Sequence, residues 1–466
     1  MRRDLGEIFK AYDIRGTYPE QLDEDAARRI GEAFAHFTEA ERVAVGQDMR
    51  PSSPALAGAF IEGVNGAGAA VQDLGRVSTD ALYFASGRLD VPACMFTASH
   101  NPARYNGLKL CKSQAVPVGS DSGLTDIRAR AEEGSAGAAS ASGRGGEAGR
   151  ERRGAGPGGR EIERVEILED YATHCRSFVD VDVLRPLRVA IDAGNGMAGA
   201  TVPEVFDGLP FQVVPLYFEL DGTFPNHPAN PIEEANLADL RKAVLDSDCD
   251  LGIAFDGDAD RMFLVDEQAA IVSGSLTTAL VAERVLKKSP GEGIIYNLIC
   301  SWTVPEVIKE NGGKPIRTRV GHSFIKDVMA KTGAVFGGEH SGHYYFRDNF
   351  RADSGMIAAL MVLESLSLDD RPLSQRLQPF QRYVASGEVN SEVPDQEVML
   401  DKLTAAYEDG AQDRSDGLTV EFQDWWFNCR PSNTEPLLRL NLEARSRELM
   451  EAKRDEVLSL IRGERR

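Results

Sequence analysis

Residues 249–266, CDLGIAFDGDADRMFLVD, decide how this chain folds. The run LGIAF has the length and continuity of a strand buried on both faces, and it stops at Asp256. RMFLVD reads as the returning strand of a hairpin, and the tight loop between them carries carboxylates at Asp256, Asp258 and Asp260. Upstream, ANLADLRKAVLDSD has helical spacing and FQVVPLYF reads as a strand. LRVAIDAGNG before that is a strand entering a glycine turn. Strand, helix and strand in this order predict an α/β unit.

The same alternation occurs on both sides. RVAVG at 42–46, a helix from Pro54, AAVQDL and ACMFTA form an earlier unit, with ACMFTA running into a polar loop at Ser99. A third unit starts near Val272, with SLTTALVAERVLKK as helix, GIIYNLI and KPIRTRV as strands, HSFIKDVMAKTG as helix, VFGGEHSGHYYF, and the helix SGMIAALMVLESL. From about Tyr383 the segments GLTVEFQDWWFNCRPSN and LLRLNLEA and a closing helix suggest a small α+β domain of antiparallel strands. The chain of 466 residues suits three or four domains at roughly 150 residues each. The boundaries read as 1–165, 166–268, 269–382 and 383–466. Residues 131–160 hold ten glycines and no large apolar side chain, so this segment reads as a flexible insert.

Composition narrows the function. The chain is 42% hydrophobic and 27% charged with a mean hydropathy of -0.29, as expected of a soluble globular protein. It contains no run of 18 apolar residues, and MRRDLGEIFKAYDIRG turns acidic before a signal-like apolar stretch forms. The expected compartment is the cytoplasm, with no membrane partner. Six scattered cysteines with no CxxC pair read as reduced and structural. A net charge of -21 argues against nucleic acid as partner and makes any local cluster of Arg, Lys and His informative.

Four polar loops follow apolar strands. In Thr97-Ala-Ser-His-Asn-Pro102, Ser99 stands beside His100 and ahead of Lys109, placed to act as a nucleophile or phosphate carrier; the same residues also make an ordinary turn. In the second, Asp256, Asp258 and Asp260 suit a hard divalent cation such as magnesium. A calcium-binding EF-hand loop is not expected, because the loop runs straight into the strand-like RMFLVD, although Glu267 stands at the twelfth position. In the third, Gly338-Glu-His-Ser-Gly-His343, an extended loop turns Glu339, Ser341 and His343 to one side, suited to sugar hydroxyls; a zinc pair of His340 and His343 and a plain polar hairpin are the other readings. In the fourth, Arg430 with Ser432, Asn433 and Thr434 forms a phosphate cradle or a Pro-bracketed surface turn. Tyr12-Asp-Ile-Arg-Gly16 and the helix head Gly321-His322-Ser323 join these loops, the latter as an anion site.

TASHNP, DGDADR, GEHSGH and RPSNTEP, in this order and spacing, resemble the α-D-phosphohexomutase superfamily, most closely its phosphomannomutase and phosphoglucomutase members, over nearly the whole chain. The glycine-rich stretch is the departure and touches no motif. The resemblance implies three related α/β domains with mixed sheets and a smaller C-terminal α+β domain around a central cleft. It implies that Ser99 is carried as phosphoserine and that its phosphate completes a Mg2+ site made by Asp256, Asp258 and Asp260. Arg15, Lys109 and Arg261 would stabilise phosphoryl oxygens or move a proton, with Lys109 and His100 as acid-base candidates. Tyr12 and His322 would bind the substrate, Glu339, Ser341 and His343 would contact the sugar hydroxyls, and Arg430, Ser432, Asn433 and Thr434 would hold the non-reacting phosphate. The implied reaction interconverts hexose 1-phosphate and 6-phosphate by way of a hexose 1,6-bisphosphate, which also re-primes the serine. The last histidine of GEHSGH looks more like the mannose and dual mannose/glucose enzymes. The alternatives are a phosphoglucosamine mutase, a phosphatase using the same groups, and a non-catalytic sugar-phosphate-binding protein. Oligomeric state is not legible.

Overall fold

The computed structural model describes residues 4–133, 161–431 and 437–463. The chain divides into two compact units. One comprises the residues up to Ile271 joined by Tyr345–Asp370, the other Val272–Tyr344 and the residues from Arg371 onward.

The first unit contains two sheets. In one, Tyr105–Lys112 runs antiparallel to Ile14–Thr17 and to Ala93–Phe96. Arg42–Gln47 lies parallel to Ala93–Phe96 and to Ala70–Arg76, so the sheet is mixed. Because Gln47 pairs with Phe96, the loops after these two parallel strands leave the sheet side by side, at its carboxyl edge. In the other sheet Leu251–Phe255 pairs parallel with Arg188–Asp192 and antiparallel with Met262–Asp266, register Phe255 to Met262. The hairpin expected at 249–266 is therefore present. Leu251–Phe255 and Met262–Asp266 are buried at every position, as their continuous apolar runs require. The helices Glu24–Thr38 and Ser53–Gly66 cross so closely that a Cβ at Gly63 would lie 2.0 Å from the Arg28 carbonyl oxygen.

Two readings of the sequence change here. The flexible insert was expected to begin at 131, but Ala131–Glu133 close the helix Leu124–Glu133. Leu124, Ile127 and Ala131 recur on one helical face and join the hydrophobic core, Ala131 at 1% exposure. Residues 134–160 lie outside the described set. The helix Gly355–Ser367, read from the sequence as part of the third unit, packs with the residues of the first compact unit: Glu364 accepts from the Asp180 amide at 2.7 Å, and Ser354 donates to Asp80 at 2.7 Å.

The second unit has a sheet in which Gly293–Asn297 is flanked in parallel by Lys314–Thr318 and Phe336–Gly338. Its other sheet is antiparallel, in the order Val384–Glu392, Leu437–Ala444, Trp425–Pro431, Leu418–Glu421, Ala411–Asp413. All six cysteines are buried free thiols. Among the described residues no helix is long and apolar enough to cross a membrane.

Candidate active site

Ser99 sits just past the strand Ala93–Phe96 with φ 48°, a left-handed backbone that a serine adopts only when its surroundings impose it. The Thr97 hydroxyl accepts from its amide at 2.9 Å. The Ser99 Oγ donates to Asp256 Oδ2 at 2.7 Å and lies 3.1 Å from His100 Nδ1. The loop from Asp256 to Arg261 fits closely against this serine, since a Cβ at Gly257 would stand 2.6 Å from the Ser99 carbonyl oxygen. A glycine is required there.

Asp256, Asp258 and Asp260 are buried, and one carboxylate oxygen from each falls within 4.8 Å of the others. Two cations compensate them. Lys109, on the strand Tyr105–Lys112, reaches Asp258 Oδ2 at 2.7 Å and Asp260 Oδ2 at 2.6 Å, while Arg261 Nε reaches Asp256 Oδ2 at 3.0 Å. Arg15, on Ile14–Thr17, pairs with Asp13 and donates to the Asn101 side chain at 2.5 Å, which ties it to the serine loop. Tyr12 lies half-buried three residues before it.

Thr79 escaped the sequence reading. Its hydroxyl donates to Asp258 Oδ2 at 2.5 Å, and its amide bonds the Asp258 carbonyl at 3.0 Å. Lys109 and Thr79 thus occupy Oδ2, and Asp258 Oδ1 is left buried with no hydrogen-bond partner. A buried carboxylate oxygen without a donor is costly unless a cation takes it. The all-oxygen donor set fits magnesium. Arg50, at 1% exposure, also escaped notice and donates to the Ser99 carbonyl. No local pattern marks either residue, because each acts on a loop far away in sequence.

Charge states follow from this geometry. Burial alone would raise Asp258, but the charge and hydrogen bond of Lys109, with the Thr79 hydroxyl, hold it well below the ordinary carboxylate range. Asp256 is pushed up by burial, against the pull of Arg261. Burial would lower Lys109, yet Asp258 and Asp260 hold it well above the usual lysine range, so it is a fixed cation. His100 is held well below its ordinary value by burial and then by Arg261 and Arg15, which leaves the imidazole neutral beside Ser99.

In the second unit, residues 339–343 form a turn rather than the extended loop expected. The Glu339 amide bonds the His343 carbonyl at 3.0 Å, the Gly342 amide bonds the Glu339 carbonyl at 3.1 Å, and Gly342 takes φ 86°. The alternation that was to align Glu339, Ser341 and His343 is therefore replaced by a reversal of the backbone. The Glu339 carboxylate is buried, accepting from Asn297 Nδ2 at 3.1 Å and from the Gly321 amide at 3.3 Å. It thereby stands beside the amino end of the helix His322–Thr332; the His322 side chain lies outside the described set. Ser341 and His343 are half-buried. His340 faces Ser275 Oγ at 3.1 Å and belongs to no metal-competent cluster among the described residues, which disfavours the zinc-pair reading. Arg430, on Trp425–Pro431, meets Glu388 at 3.1 Å, and Glu388 also pairs with Arg439 at 3.3 Å. Ser432, Asn433 and Thr434 lie outside the described residues.

Comparison with known proteins establishes the family. Models of the phosphoglucomutase/phosphomannomutase alpha/beta/alpha domains I, II and III match residues 6–137, 169–269 and 273–383, and that of the C-terminal domain matches 388–460. A phosphomannomutase of Escherichia coli is 38% identical over 465 residues, covering 97% of this chain and 99% of the relative. A phosphomannomutase of Methanocaldococcus jannaschii is 34% identical, covering 97% of each. The crystal structure of a phosphoglucomutase/phosphomannomutase family protein from Burkholderia thailandensis superimposes with a TM-score of 0.87 at 31% identity, over 100% of this chain and 99% of that one. The chain belongs to the phosphoglucomutase/phosphomannomutase family and is a phosphate-transferring hexose-phosphate mutase.

Proposed function

We propose that the enzyme interconverts hexose 1-phosphate and hexose 6-phosphate, mannose being the preferred sugar and glucose a second substrate, through phosphoserine at Ser99 and a hexose 1,6-bisphosphate. One observation carries this reading: Ser99 Oγ lies 2.7 Å from Asp256, within an acidic cluster whose Asp258 Oδ1 is buried and unsatisfied. Asp256, Asp258 and Asp260, with a phosphoserine oxygen, would hold magnesium. The ion would neutralise the roughly -1.5 to -2 charges of the phosphoryl group and polarise it.

The protein's own groups divide the remaining work. The phosphoserine Oγ–P bond breaks as the bond from phosphorus to the free sugar hydroxyl forms, and the return step transfers the other phosphoryl group to Ser99. Lys109 and Arg261, fixed by their carboxylate partners, stabilise the transferring oxygens. His100, neutral and 3.1 Å from Ser99 Oγ, handles the proton there, while Lys109 stays charged throughout. Arg15 acts with them through Asn101. Tyr12 and His322 bind the substrate, Glu339, Ser341 and His343 read the sugar, and Arg430, Ser432, Asn433 and Thr434 hold its second phosphate. The domain division proposed is 1–165, 166–268, 269–382 and 383–466, which the four family matches support. The relatives named phosphomannomutase support the sugar preference.

A phosphorus NMR time course on mannose 1-phosphate and, separately, glucose 1-phosphate, each with magnesium and a trace of hexose 1,6-bisphosphate, tests the proposal. Conversion to the 6-phosphates, faster for mannose, is expected. Inorganic phosphate as sole product would mean a phosphatase. No change in either tube would favour a glucosamine phosphate as substrate or a binding role without turnover.

A further inference from the structure

Arg50 follows the strand Arg42–Gln47 and is among the largest fully buried side chains. Its guanidinium reaches four main-chain carbonyls of the serine loop. Nη2 donates to Ser99 O at 2.8 Å and Asn101 O at 2.6 Å; Nη1 donates to Pro102 O and Tyr105 O, both at 2.9 Å. Nε turns back to Asp48 Oδ2 at 3.2 Å, and Asp48 is fixed in turn by the Arg50 amide at 2.9 Å and the Ser53 hydroxyl at 2.6 Å. All five guanidinium donors are therefore committed. From the other side Phe224 lies 5.1 Å from the guanidinium carbon, and a Cβ at Gly222 would come within 2.4 Å of the Arg50 Cα.

Four carbonyl oxygens converging on one point repel one another unless a cation with planar, spread donors lies between them. Arginine supplies that fork; the three donors of lysine issue from a single nitrogen. The carbonyl of Ser99, the residue whose backbone is left-handed, is among the four. We propose that Arg50 is the positioning residue for Ser99. By cross-bracing carbonyls from 99 to 105 it holds the inverted backbone that aims Oγ at Asp256. The proposal rests on Ser99 being the phosphate carrier.

The test compares Arg50→Ala, Arg50→Lys and Ser99→Ala by steady-state kinetics, with and without added guanidinium ion, and by amide hydrogen exchange. A serine displaced by about an ångström should cost ~100-fold in kcat. KM for the hexose phosphate should stay within about threefold, because the binding groups are untouched. Guanidinium should restore part of the Arg50→Ala activity, Arg50→Lys should remain slow, and faster exchange should be confined to residues 97–105. A kcat within about threefold of wild type in both Arg50 variants would overturn the inference. So would a loss insensitive to guanidinium with exchange rising across the whole first unit, which would make Arg50 a general structural prop. If Arg50→Ala does not fold, Arg50→Lys decides by the same exchange readout. Turnover in Ser99→Ala would defeat the phosphoserine reading alone, leaving loop exchange in the Arg50 variants to judge the brace.

Discussion

Lys109→Met removes one of the two cations that compensate three buried aspartates. Lys109 is 13% exposed and bonds two carboxylates, whose side chains are 0% and 2% exposed. Methionine keeps the length of the side chain and deletes the charge, leaving Asp258 with Thr79 as its hydrogen-bond donor. Breaking a buried pair by removing one partner costs about 3–5 kcal/mol. At roughly 2–4 °C per kcal/mol for a unit of this size, the melting midpoint without metal should fall by about 10 °C. Loss of a charge aimed at a developing oxyanion should lower kcat by ~100–1000-fold. Calorimetry in chelator and in saturating magnesium is the assay. The deficit should shrink in magnesium, because the divalent ion takes over the neutralisation that Lys109 supplied. A midpoint within about 1 °C of wild type in chelator would refute the reasoning.

Thr79→Val removes the hydroxyl that fixes Asp258 and should weaken magnesium binding about 10-fold with a loss of about 1 kcal/mol in stability, read by titration calorimetry and melting. Asp80 is pushed up to about 6 by burial, against hydrogen bonds from Ser78, Tyr171 and Ser354. A folded pKa raised above the unfolded value means the native state binds the extra proton, so the contribution of Asp80 to stability falls as pH rises from about 4 to 6 and is flat above. Asp80→Asn should make that slope shallower by up to about 3 kcal/mol in melts across this range, leaving the part that belongs to Asp256; an unchanged slope would assign it elsewhere. Gly63→Ala drives a methyl into the Arg28 carbonyl and should destabilise the first unit by at least about 1–3 kcal/mol, while kcat at low temperature is retained.

What the sequence disclosed and what it hid have a common physical basis. The hairpin at 249–266 was legible because LGIAF and MFLVD are buried at every position and announce it by composition. The acidic triad was legible because adjacent carboxylates on one tight loop need compensation whatever surrounds them. Thr79 and Arg50 were not, because their partners lie 179 and 49 positions away and no local period encodes that meeting. The turn at 339–343 was misread as extended because Gly342 permits a reversal that alternation cannot register. Ala131 was assigned to the insert because its glycine-rich neighbours outweighed its helical spacing from Ile127.

The central claim is that Ser99 carries the phosphoryl group. Intact-protein mass and phosphorus NMR of the enzyme incubated with hexose 1,6-bisphosphate and magnesium, beside Ser99→Ala treated alike, test it most directly. The account predicts one added phosphoryl group on the wild type, mapped to Ser99, and neither label nor turnover in the variant. A phosphoryl group on another residue, or normal turnover by Ser99→Ala, would contradict it.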